Sequence, residues 1–369
     1  MSAISFKTLT SDDITTSRTL LHESIPITGT LVSGTYATAS SSGREGNIKT
    51  FSHGMFQSVY DYPYTSSSAN HIFDITSGYS TFMTMSAKDP DQTRNLQANK
   101  KLNIHNQMAM QLAGFDTNGN IKRINTTLSG EANSTHGRVF ISFSRLLVKD
   151  EIKKGSFSLV LGTGSAYATP MSQLLTLTDA EATASYKSNS PAGEYGLLKV
   201  NGTGLTRGMI FYQAGIITLD MGLVFDTNSI GFVPSNTEFN GADQGANPTH
   251  KVDVLMASAS MDQVADAIRH RIQNVSFNNT TELNSTIYFC RAHKGEFNYS
   301  SNPTYLSGSK IRVKTIPGSG NEFANPPMAY VTTVGLYSPD NELLAVAKLS
   351  EPVKKTPINE LNFRVRLDY

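Results

Sequence analysis

Apolar and polar residues alternate most cleanly at the end of the chain. Phe363, Val365, Leu367 and Tyr369 fall on one face of an extended segment, and Arg364, Arg366 and Asp368 on the other. The same period of two recurs upstream and predicts strands over 286–292, 310–316, 330–337, 343–349 and 362–369. Ser338-Pro339-Asp340-Asn341 is a tight turn, so the third and fourth of these strands form a hairpin. Five short strands separated by turns describe a β-sandwich-like C-terminal domain over residues 284–369.

Residues 51–283 read as a β-rich central domain. Strands are expected over 139–148, 157–161, 196–200, 209–212, 216–225 and 252–256, with glycines supplying turns and bulges. Two stretches change to the helical period. Within 99–112, Ile104, Met108 and Leu112 share a stripe, and Gly114 stands where a terminating glycine belongs. Within 260–273, Ser260 and Gln263 make a capping box, and Met261, Val264, Ala265, Ile268 and Ile272 form the stripe. Arg269, His270 and Arg271 then fall in the last turn, where the helix dipole favours cations. The fold class is therefore mainly β with a few helices.

Residues 1–50 form an N-terminal arm. Thr10-Ser11-Asp12-Asp13 predicts the start of a short helix running through Leu20-Leu21-His22. The Ser- and Thr-rich remainder cannot support its own core. It packs on another chain, lies along its own body, or is a disordered tail. An aromatic cluster comes next: Phe51, Phe56, Tyr60, Tyr62, Tyr64, Phe73, Tyr79 and Phe82. It is either a local core or an interaction surface, and core is the reading preferred. The polar loop 234–250 is long enough to suggest a role in recognition.

Composition narrows the function. The apolar fraction is 38% and the charged fraction 17%, and Ser, Thr, Asn and Gly make up the difference. Eighteen Phe and fifteen Tyr exclude a disordered chain, since they can anchor several cores. The net charge of +1 argues against a general nucleic-acid binder, which needs a clustered basic excess. No apolar run is long enough for a membrane span, and the N-terminus lacks the pattern of a secretory signal. Cys290, the one cysteine, reads as a buried thiol within a strand.

No motif carries recognisable chemistry. The eight histidines include no i, i+4 pair, so no helical metal site is indicated. Asp116-Thr117-Asn118-Gly119-Asn120 has its glycine out of place for a calcium loop and reads as an Asn-Gly turn. The lone Gly162-Thr163-Gly164 opens no apolar helix and lacks the third glycine of a dinucleotide loop. No nucleophile elbow occurs, and any glycosidase pair of carboxylates would be assembled only by folding. No catalytic residue, cofactor or metal is assigned.

Several segments resemble a family of virion structural proteins from contractile-tailed bacteriophages, the type of marine and cyanobacterial hosts. They are 56–64 (Phe-Gln-Ser-Val-Tyr-Asp-Tyr-Pro-Tyr), 70–76, 146–157, 189–196, 297–305 and 330–349. The hairpin through Val334-Gly335-Leu336-Tyr337 is also similar to β modules of tail-fibre and baseplate attachment proteins. The resemblance implies a non-enzymatic virion component made in the host cytoplasm, in the tail or baseplate, with neck or head as the alternative. It implies a homo-oligomer contacting other virion proteins. The Tyr-rich segments and the 234–250 loop raise a further alternative, an adhesin for host-surface glycans. Candidate assembly residues are Arg364, Arg366, Asp368, Tyr299 and Tyr305.

Overall fold

In this computed structural model the described residues are 6–29, 46–80, 96–124, 137–164, 169–221, 224, 260–300, 306–307, 310–311 and 328–369. The expected strand 252–256, the loop 234–250, Phe82 and Tyr305 lie outside them. The fold is mainly β and antiparallel, with a large sheet, small two-stranded sheets and a few helices.

In chain order the strands are β1 (Ile14–Thr28), β2 (Ile48–Thr50), β3 (Gln57–Tyr60), β4 (His71–Gly78), β5 (Arg138–Phe143), β6 (Glu151–Ile152), β7 (Ser158–Gly162), β8 (Leu174–Thr178) and β9 (Tyr195–Val200). They continue as β10 (Thr206–Phe211), β11 (Ile216–Asp220), β12 (Ile272–Ala292), β13 (Leu306–Ser307), β14 (Lys310–Ile311), β15 (Ala329–Tyr337), β16 (Leu343–Lys355) and β17 (Leu361–Asp368). The helices are α1 (Leu96–Leu112), α2 (Arg145–Val148), α3 (Ala182–Ser185) and α4 (Met261–Arg269).

Two units divide the chain: 21–281 is one, and 1–20 with 282–369 is the other. The division falls inside β1 and β12. The first twenty residues therefore group with the C-terminal stretch.

The larger unit holds the sheet order β12-β7-β8-β9-β10-β11-β5-β4-β3-β2, every neighbouring pair antiparallel. β7 to β11 succeed one another as hairpins. The chain-distant pairings are β11 with β5 and β7 with β12. The core is filled by alternate residues of these strands and by one face each of α1 and α4. Its aromatic centre is Phe143, whose ring lies 5.1 Å from Phe277, 6.0 Å from Phe73 and 6.2 Å from Phe157.

Both long helices pack on β4. A Cβ on Gly78 would sit 2.6 Å from the Lys101 carbonyl oxygen, so the absence of a side chain lets α1 approach the strand this closely. Gly114 ends α1 with φ +77°, its N–H donating to the Ala109 carbonyl at 3.0 Å, as the sequence suggests. The capping box of α4 is present: Ser260 Oγ accepts from Gln263 N–H at 3.2 Å, and Gln263 Oε1 from Ser260 N–H at 2.9 Å.

Several expectations are corrected. The 10–13 segment caps a single 3₁₀ turn, and the chain continues from it into the fifteen-residue strand β1, not a helix. Its Ile-Thr-Thr-Ser-Arg-Thr start is β-branched, and pairing with β12 overrides the weak helical stripe. The strand expected over 139–148 stops at Phe143, and residues 145–148 turn into α2. The helix from Ser260 ends at Arg269, and Ile272 already belongs to β12. β12 itself starts fourteen residues before the expected 286–292 strand. The aromatic cluster splits: Phe73 and Tyr79 are buried, while Tyr62 and Tyr64 are exposed.

Candidate assembly surface

The smaller unit is built on the pairing of β17 with the second half of β12. Asp368 lies opposite Ser285, Val365 opposite Tyr288, Phe363 opposite Cys290 and Leu361 opposite Ala292. The register puts Leu361, Phe363, Val365 and Leu367 on one face with Thr286, Tyr288, Cys290 and Ala292. This is the face the alternation predicts. Arg364, Arg366 and Asp368 are on the other, and all three are exposed.

The two candidate charges at the end of β17 are held in place. Arg366 Nε donates to Asp368 Oδ1 at 2.7 Å, and Ser285 Oγ donates to the same oxygen at 2.5 Å. Those two hydrogen bonds, Ser285 first, lower the Asp368 pKa, so the carboxylate stays ionised. Arg364 stands outward, and Tyr299 is half-buried.

A turn at 293–298 shapes the same unit. His293 N–H donates to Glu296 Oε2 at 3.0 Å, and Lys7 Nζ reaches that oxygen at 3.0 Å. Lys355 is buried and its ammonium is satisfied by Asn298 Oδ1 at 2.8 Å and the Thr356 carbonyl at 2.9 Å. Burial lowers its pKa. Nothing in the local pattern of residues marks this lysine as internal.

β15 and β16 form a separate two-stranded sheet joined by the expected turn, where Asn341 adopts φ +65° and donates to the Ser338 carbonyl at 3.0 Å. β16 passes through Pro352, beyond the end of the strand that the alternation predicts. The ladder accommodates it with a bulge: between the pairs Val331↔Val353 and Thr333↔Lys348, one residue of β15 faces four of β16.

Few apolar side chains are enclosed among the described residues of this unit. Among its described residues only three apolar side chains are buried: Ala292, Leu336 and Val365. A cavity of about 850 Å³ is lined by Tyr288, Cys290, Phe363 and Leu367 from β12 and β17, by Val331, Val334 and Leu336 from β15, and by Ile14. Cys290 is thus half-buried at a cavity wall and not enclosed in packed protein; burial raises its pKa and keeps it a thiol. Tyr330, Tyr337, Leu343, Leu344 and Val346 of the hairpin are each more than half exposed, Tyr337 and Leu344 beside the cavity.

The larger unit contains titratable groups of a different kind. Arg138 and Asp220 are neighbours in register across β5 and β11, fully buried, with Nη2 and Oδ2 3.2 Å apart. Arg138 Nε donates to the Ile124 carbonyl at 3.0 Å. On the face of α1 toward β4, Lys101 and His105 are buried as well. Desolvation lowers Lys101 to a pKa of about 7; desolvation, and then Arg138, lower His105 to about 4. Asp179, raised by burial, accepts from Gly155 N–H, Phe157 N–H and Tyr212 Oη–H and ties a turn to the sheet. None of these buried groups was visible in the pattern of hydropathy.

Among the described residues no three His, Cys, Asp or Glu side chains gather as metal ligands, and no helix is long and apolar enough to cross a membrane. No protein-family model, curated protein or solved structure matches the chain.

Proposed function

We propose that the chain is a structural subunit of a tailed-bacteriophage virion, in the tail or baseplate, acting through protein–protein assembly without catalysis. The observation that carries the assembly reading is the exposed apolar hairpin β15–β16 and the small number of enclosed apolar side chains among the described residues of 1–20 with 282–369. A domain of this size must bury apolar area to offset its chain entropy, on the order of 1–2 kcal/mol per residue for the backbone alone. Among the described residues three buried apolar side chains contribute to it. A neighbouring subunit that covers the hairpin adds to it. The virion assignment itself rests on the sequence resemblance. The test is proteomics and antibody labelling of purified particles. The chain is expected in many copies, with label on the tail or baseplate. Label on neck or head would move it within the particle, and absence from particles would overturn the reading.

One observation favours contact with the host as a second reading. Tyr62 and Tyr64 are exposed beside Tyr60, whose ring is 6.4 Å from Tyr64 and 5.5 Å from His71. Aromatic faces of this kind stack on sugar rings. Assembled protein that binds no component of a host-glycan array would remove that reading.

A further inference from the structure

We propose that β15 is a strand-addition site for a second copy of this chain. The proposal deepens the assembly reading and names its partner.

Sheet edges that must stay unpaired carry charges, prolines or bulges. Most edges here do. β1 has Arg18, His22, Glu23 and Pro26; β17 has Arg364, Arg366 and Asp368; β2 is three residues long and contains Lys49. β16 has all three devices. It carries Lys348, Glu351, Pro352 and Lys354, and both irregularities of the hairpin are absorbed there: the four residues opposite Thr332, and Leu344, which has no counterpart in β15.

β15 has none of them. Its sequence is Ala-Tyr-Val-Thr-Thr-Val-Gly-Leu-Tyr, without charge or proline and with no extra residue in the ladder. Among the described residues its one neighbour is β16. Val, Thr and Tyr are strong strand formers, and Tyr330, Thr332, Thr333 and Tyr337 are exposed. The hairpin thus protects one edge and, among the described residues, leaves the other unpaired.

Charge selects the occupant. A strand pairing antiparallel with its own copy sets the residues at the two-fold axis against themselves, so a charge near the axis meets like charge. The uncharged β15 meets none in any register, whereas β16 carries Lys348, Glu351, Lys354 and Lys355 and the proline and bulge that interrupt pairing. A two-fold axis near Thr332 and Thr333 sets β-branched residues against one another. The product is a four-stranded sheet with β16 of each copy on the outside. Two strands alone are marginal in water, and three or more are stable. The contact is isologous and closes at the dimer.

The experiment uses the full chain. Sedimentation and backbone amide exchange are measured over a dilution series. The expected result is a dimer whose β15 amides lose protection on dilution. Thr333→Lys and Thr333→Glu, at an exposed side chain, should each weaken dimerisation on the order of a hundredfold through like-charge opposition. Mixing the two variants at low salt should restore a heterodimer. A wild-type monomer at every concentration, a dimer whose β15 exchange ignores dilution, or a Thr333→Lys dimer as tight as wild type would each overturn the proposal. Circular dichroism checks that the variants fold; if one does not, the wild-type exchange series decides alone. A solution monomer that is nonetheless found in particles would overturn β15 pairing and leave the virion reading standing. A β15 dimer from a chain absent from particles would do the reverse.

Discussion

The two units bury their apolar residues to very different degrees. In 21–281 the inward positions of successive sheet neighbours are enclosed, and two helices cover them. In 1–20 with 282–369 the alternation is just as regular, yet the inward residues line a cavity. Alternation alone thus specifies which face turns inward, not whether anything fills the space it faces. The larger unit carries its stability within itself. The described residues of the smaller one have strand geometry with far less of the packing that accompanies it in the larger.

The sharpest way to break this contrast is to remove bulk from each side. Phe143→Ala opens a hole among three other Phe rings and should cost about 3–5 kcal/mol in chemical denaturation. Phe363→Ala, at the wall of an existing cavity, should cost well under half of that. Equal losses would mean that the cavity is closed in solution.

The next effect is electrostatic and is carried by α1 of the larger unit. Lys101 has a folded pKa of about 7 against an ordinary value of 10.5. Between those values the unfolded chain binds a proton that the folded one does not. Stability therefore rises with pH across that window, by at most about 1.4 kcal/mol per pH unit, and is level with respect to this group below about pH 7. His105, lowered to about 4, acts on the acid side: stability falls as pH drops from about 6.5 toward 4. Lys101→Met should flatten the alkaline rise in urea midpoints and leave the acid limb in place. An unchanged alkaline slope would show that Lys101 titrates in the open.

Adding bulk reverses the sign of the comparison. Val139 is fully enclosed in the larger core, so Val139→Phe overpacks and should cost about 1–3 kcal/mol. Cys290→Leu pushes methyl groups into open space and should be neutral, or stabilising by up to about 1 kcal/mol. A loss at Cys290 comparable to that at Val139 would mean that the space is already occupied.

The sequence announced the parts whose signals are local. β17 is legible because each pleat position keeps its chemical class, and α4 because Ser260 and Gln263 mark its start within one turn. α1 is legible in extent and in part of its orientation: Ile104 and Leu112 of the expected stripe are buried and Met108 packs against a core cluster. Its buried face runs through Ala98, Lys101, His105, Ala109 and Leu112, and two of those five residues belong, by hydropathy, on the water side. β1 and the first half of β12 were missed for a different reason. Thr favours strands but the Ser and Asn beside it do not, and it is the pairing of the two segments with each other across some 250 residues of chain that makes them strands. The candidate residues Arg364, Arg366 and Asp368 were placed on the correct face. Their chemistry pointed to contact, but the bare edge at β15 has no charged residue to draw the eye. An absence of charge on an edge becomes meaningful only when the topology shows which strands are edges.

The smallest expected effect on stability is the one that isolates assembly. Tyr337, Leu343 and Val346 are each more than half exposed. Replacing all three by Ser removes little buried area, so the thermal midpoint should move by no more than the shift of roughly ±0.5 kcal/mol per surface substitution. Their solvent-facing apolar surface is what a neighbour covering the hairpin would bury. The triple variant should therefore fold as wild type and be under-represented in particles when both forms are co-expressed and the particle-bound ratio is read by mass spectrometry. Equal incorporation would show that these three side chains stay in solvent after assembly, and would confine the subunit contact to the edge and the cavity.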